Sequence, residues 1–200
     1  MQIELIIFQV IIFIFSVIIH EVAHGYAAYL QGDNTAKFAG RLTLNPIPHI
    51  DVMGSIIIPG LLMLASSPIV FGWAKPVPFN PYNLRNQRWG EAMVAAAGPL
   101  SNIFIALFFG IMLSSSFFPA LEAPFLYIVF INLVLAIFNL VPIPPLDGSK
   151  ILFSILPYHM QGVREFLERN GLYILLFFIF FASQLISPLV FWVFHLFTSF

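Results

Sequence analysis

His20, Glu21 and His24 stand in the order H-E-x-x-H inside the stretch FSVIIHEVAHGYAAYL, residues 15–30. On a helix, positions i and i+4 share one face about one turn apart, so the two imidazoles can hold a single Zn²⁺. The glutamate beside them is then placed to take a proton from an attacking water, as zinc-dependent hydrolysis requires. The competing reading is a pair of interior histidines hydrogen-bonded to neighbouring helices. It leaves Glu21 unexplained, because a carboxylate inside an apolar helix is costly and marks a functional position by default.

A catalytic zinc site takes three protein ligands and keeps a fourth position open. The chain has no cysteine, so the third ligand must be a histidine or a carboxylate. Asp147 lies in FNLVPIPPLDGSKILF, where Pro142, Pro144 and Pro145 stop the preceding helix and Gly148 permits a tight turn. It reads either as a ligand or as the N-cap of a helix starting near Ser149. His49 and Asp51, in NPIPHID, are its rivals. They can reach the same ion, hold a second one, or orient the ligands from behind.

The elements that must carry these residues are membrane elements. Of 200 residues, 60% are hydrophobic and 8% charged, against roughly a quarter charged in soluble domains. A net charge of −1 without clustered Lys or Arg excludes a nucleic-acid surface. Glu4 is the only charge ahead of the first apolar run, so that run reads as a retained span and not a cleaved signal peptide.

About 20 apolar residues are needed to cross a bilayer, and residues 4–30, 92–118, 124–144 and 172–198 supply them. A fifth run, 52–73, is broken at Pro59-Gly60 and again at Ser66-Ser67-Pro68, which predicts a kinked span or a re-entrant segment. Lys37, Arg41, Lys75, Arg85, Arg88, Lys150, Arg164 and Arg169 fall in loops 31–51, 74–91 and 145–171, while Glu122 sits alone in the loop at 119–123. The positive-inside rule places those three loops in the cytoplasm, which favours re-entry of 52–73 and sets His20 and His24 towards the cytoplasmic end of their span. Between turn signals, TAKFA and RLTL alternate like short strands, predicting a β-hairpin over 34–45 at the membrane surface. GVREFLERNG, residues 162–171, reads as an interfacial helix start. The expected fold is an all-α polytopic membrane protein, with about four transmembrane helices, the 52–73 segment and the hairpin, in one domain over residues 1–200.

Three separated elements then resemble one family. HEVAH at 20–24, AGPLSN at 97–102 and FNLVPIPPLDG at 138–148 are similar, in this order, to the motifs of the site-2 proteases, intramembrane zinc metalloproteases. NPIPHID and GWAKPVPFNP look like its small members, and 200 residues leave no room for a PDZ or CBS domain. The resemblance implies one zinc per chain held by His20, His24 and Asp147, with Glu21 as general base. It implies that Asn102 and Asn139 bind the backbone of an unwound substrate or steady an oxyanion, with His49 and Asp51 left as outer-shell candidates. It implies a membrane-anchored protein substrate in the lipid bilayer of the cell's inner membrane. The alternating pattern beside the zinc helix separately predicts the 34–45 hairpin as a strand edge for that substrate. A divalent-metal transporter with an intramembrane His/Asp site is the alternative, and Glu21 distinguishes the two, since transport needs no base beside the ligands.

Overall fold

Long apolar stretches close their backbone hydrogen bonds within the segment, so helices dominate. The computed structural model describes residues 2–65, 72–114 and 119–199. Its α-helices are α1 (Gln2–Leu30), α2 (Thr35–Phe38), α3 (Ile58–Leu64), α4 (Gly90–Ser114), α5 (Glu122–Asn139), α6 (Asp147–Ile155), α7 (Gln161–Phe177) and α8 (Ser187–Thr198). Among the described residues there is no strand.

Ile3–Leu30, Gly90–Ser114 and Pro119–Asn139 are each long and apolar enough to cross a membrane. The fourth span expected over 172–198 falls on two helices, Tyr158–Ala182 and Ser187–Thr198, that meet at 73°, the geometry of a broken span or of a re-entrant pair. Pro188, at the first turn of α8, lacks the N–H that would continue the preceding helix. Exposed Ile, Leu and Phe side chains cover α1 and α4, as expected of surfaces solvated by lipid.

α4 is the central helix, packed against α1, α5 and α6. Its Ala106 meets Val129 and Leu133 of α5 in a core closed by Phe109, Leu113, Val193, Phe194 and Phe197. Nearer the loops, Ala28, Leu84 and Val94 form a second core under Phe79.

The hairpin predicted over 34–45 does not form. Buried Asp33 accepts from the Thr35 backbone N–H at 3.2 Å and from its hydroxyl at 2.6 Å, turning the chain into α2. Local side-chain bonds of this kind compete with strand pairing, and alternation alone does not outweigh them. Asp33 also accepts from Asn80 N–H at 2.7 Å and Asn83 Nδ2 at 2.9 Å, tying the end of α1 to the 80–83 loop.

The 52–73 run begins as a wide π-type turn, Val52–Ile57, before α3. Asp51 caps it, accepting from Gly54 N–H at 2.7 Å. Its two ends meet: Trp73 N–H donates to Gly54 O at 3.1 Å, and Ser55 Oγ donates to Trp73 O at 2.9 Å. The expected second break, Ser66-Ser67-Pro68, lies outside the described residues.

Candidate metal centre

Three chain segments bring the centre together. α1 presents His20 and His24 on one face, their ring centroids 4.6 Å apart and nearly perpendicular. α5 ends at Asn139, and the proline-rich turn that follows delivers Asp147 as the first residue of α6. The Asp147 side chain does not cap that helix. Its Oδ2 instead lies 3.1 Å from Nε2 of both His20 and His24. All three residues are buried. Gly148 makes this approach possible, because any Cβ there would collide with the Leu140 and Val141 carbonyls.

α4 closes the centre from the other side. A Cβ on Gly98, within the AGPLSN element, would stand 2.6 Å from His20 Nε2 and closer still to His24. Glycine is therefore required where α4 crosses the two imidazoles. One turn earlier, the Val94 carbonyl accepts from His24 Nδ1 at 2.7 Å. Asn102 Oδ1 stands 2.6 Å from His20 Nδ1.

These contacts fix the chemistry of the donor set. A carbonyl only accepts, so Nδ1 of His24 carries a proton, and in the neutral ring its Nε2 then presents a lone pair. The amide oxygen of Asn102 imposes the same tautomer on His20. With both rings neutral, two imidazole nitrogens face a carboxylate oxygen, three acceptors that a bound cation, or a proton, reconciles. A tetrahedral ion with bonds of about 2.0–2.1 Å spaces its ligand atoms about 3.3 Å apart, close to the 3.1 Å separations here. The residues fit zinc in type, tautomer and spacing, and theirs is the group that could hold a metal among the described residues.

Glu21 points to the side of this cluster. Its Oε2 accepts from Val77 N–H at 2.8 Å. Val77 belongs to the KPVPFNP stretch, where Pro76, Pro78 and Pro81 hold the preceding residues in extended conformations. Buried Arg41 anchors the same stretch through the Lys75 and Pro76 carbonyls. Burial pulls the Arg41 guanidinium below its ordinary basicity, and the nearby Glu21 carboxylate partly restores it.

The other predicted residues fall at varying distance from the ligands. Asn102 is wholly enclosed, with both amide hydrogens directed into the protein, towards Ser16 O and Asn132 Oδ1. Asn139 Nδ2 bonds back to Leu135 O, leaving its oxygen near the end of α5. His49 donates from Nε2 to Thr43 O, and Asp51 is spent as the cap described above. Neither meets the metal-binding group. Sequence reasoning missed Val94, Gly98, Val77, Arg41 and Asn132. Of these, Gly98 lay inside the AGPLSN element without a role of its own, and Asn132 carried a signal as an amide within an apolar span.

A helical membrane protein with a buried His₂Asp centre and an adjacent glutamate has the groups of a membrane-embedded metalloprotease. The family model of peptidase family M50 matches residues 114–182. YwhC of Bacillus subtilis is 37% identical over 192 residues, covering 91% of this chain and 81% of its own. Rip2 of Mycolicibacterium smegmatis is 30% identical over 142 residues, 68% of this chain and 52% of its own, and Rip2 of Mycobacterium tuberculosis is 30% identical over 140. Each bears the name "Putative zinc metalloprotease". No solved structure matches the chain. The chain belongs to the site-2 protease family, peptidase family M50.

Proposed function

We propose that this protein is a zinc-dependent intramembrane endopeptidase that hydrolyses peptide bonds in or near the transmembrane segments of membrane-anchored proteins. Residues 1–200 act as one catalytic domain in the cell's inner membrane, with one zinc per chain and the centre towards the cytoplasmic side. The observation that carries this reading is the convergence of the Nε2 atoms of His20 and His24 on one oxygen of Asp147, with Glu21 beside His20 on the same helix.

His20, His24 and Asp147 would hold the ion, which when bound acidifies water and polarises a carbonyl. Glu21 accepts the proton of the attacking water at its carboxylate and returns it to the departing amine. The Val77 N–H holds one carboxylate oxygen and leaves the other for this work. A peptide bond in a helix is shielded by its own hydrogen bonds, so the substrate must be locally extended before attack. The proline-stiffened 74–80 stretch beside Glu21, and not a 34–45 hairpin, supplies extended backbone at the site. The Asn139 oxygen is the remaining candidate of the two asparagines for a substrate amide.

Cleavage of a single-span reporter with a helix-breaking pair in its apolar segment, by purified protein in detergent, tests the reading. Glu21→Gln should abolish cleavage and retain zinc, and Asp147→Ala should lose both. A Glu21→Gln variant that still cleaves would sink the proposal. One that moves zinc across proteoliposomes as wild type does would favour the transporter.

A further inference from the structure

His24 is oriented by a backbone carbonyl, but His20, one turn deeper, depends on side chains. The chain of contacts behind it runs through two wholly buried asparagines to α5. Asn132 Nδ2 lies 2.9 Å from Ile128 O and 3.0 Å from Ser16 Oγ. The Ile128 carbonyl only accepts, so the NH₂ end of Asn132 must face it and the Oδ1 end must face Asn102. That oxygen accepts from Asn102 Nδ2 at 2.7 Å, while the second hydrogen of Asn102 goes to Ser16 O at 3.3 Å. Asn102 is thereby turned with Oδ1 towards His20, 2.6 Å from Nδ1.

We infer that Asn132 is a positioning residue for the metal centre: acting through Asn102, it fixes the tautomer of His20 that leaves Nε2 free to bind the ion. The direction of every bond in this relay is set at its far end, by acceptor-only helix carbonyls. Without Asn132, Asn102 loses one acceptor for its NH₂ group and with it part of what holds its oxygen on the imidazole. Outer partners that orient a ligating histidine matter to affinity because they decide ring orientation and basicity together. Amides this deep in a membrane protein are tolerated when their hydrogen bonds are met, as they are here. The inference rests on the metal-centre reading and deepens it.

The test is zinc affinity of the full-length protein in detergent, measured by competition with a chelating indicator. Asn132→Leu should weaken zinc by about 10- to 100-fold, as loss of an outer-shell partner does. Asn102→Leu should weaken it at least as much. Because Asn132 acts through Asn102, adding Asn132→Leu to Asn102→Leu should cost nothing further, whereas general structural damage would add. Ser16→Ala, which removes one partner of the same amide, is the milder variant should Asn132→Leu fail to fold. It should weaken zinc in the same direction by less, and have no effect in the Asn102→Leu background. Undiminished affinity in a folded Asn132→Leu protein, or additive losses, would overturn the inference. Wild-type protein that binds no zinc, or Asp147→Ala binding as tightly as wild type, would instead overturn the metal-centre reading beneath it.

Discussion

Val77 donates its backbone N–H to Glu21 Oε2 at 2.8 Å, although the two residues are 56 positions apart. This places the proline-rich stretch against the carboxylate proposed as base, with Arg41 holding the carbonyls just before it. A hydrogen bond to a charged group contributes about 1.5–3 kcal/mol. Val77→Pro removes the donor and should lower kcat about 10- to 100-fold, with zinc content unchanged. Val77→Ala keeps the N–H and should retain most activity. Equal rates for the two variants would show that the amide has no part in placing Glu21.

Gly98 defines how near α4 can come to His20 and His24. Gly98→Ala would press a methyl carbon on ring atoms of His20 and His24. Overpacking of this kind costs about 1–3 kcal/mol, and here the groups that must yield are the proposed ligands themselves. The variant should still unfold cooperatively in chelator, with a midpoint lowered by no more than that cost, yet retain much less zinc after dialysis. Full zinc occupancy measured by atomic emission would contradict the packing described.

Much of the centre is legible in the sequence because it is local. His20 and His24 are joined by helix geometry alone, and the stop of α5 is written in Pro142, Pro144 and Pro145. Asp147 was ambiguous between ligand and cap because spacing does not say which way a carboxylate turns, and the folded chain turns it to the histidines. Asn132, Val94 and Val77 act on residues 30 to 116 positions away, and two of the three act through backbone groups that their side chains do not reveal. The hairpin failed for a nearer reason. Alternation in TAKFA was visible, but four hydrogen bonds on the Asp33 carboxylate set the local geometry first.

Asp33 also gives the fold a pH dependence. Burial alone would raise its pKa, but hydrogen bonds from Thr35, Asn83 and Asn80 outweigh this and hold it below its ordinary 3.8. A carboxyl depressed in the folded state adds stability that is complete above the unfolded value and is lost as pH falls through the folded one. Asp33→Asn turns an acceptor-only group into one with an NH₂ facing other donors, a loss of about 1–3 kcal/mol. Its unfolding midpoint in detergent should lie below that of wild type at pH 7, with the gap narrowing as pH falls below 3.8. A gap that stays constant between pH 7 and pH 3 would remove the carboxylate as its cause.

Trp73 N–H on Gly54 O closes the 52–73 segment on itself, so the chain leaves and returns at one place. We expect a segment whose described ends are hydrogen-bonded together to return to the bilayer face it left. The loops before and after it should then lie on one side, the side that the positive-inside rule gives to Lys37, Arg41, Arg85 and Arg88. The absence of native cysteine makes this directly measurable, since single cysteines can be introduced without a background. In inner-membrane vesicles of known orientation, Asp51→Cys, Lys75→Cys and Arg85→Cys should react with an impermeant maleimide from the cytoplasmic face. Glu122→Cys should react only from the opposite face. Labelling of Asp51→Cys and Lys75→Cys from opposite faces would make 52–73 a crossing span, and would move the extended stretch and Glu21 to opposite ends of the site.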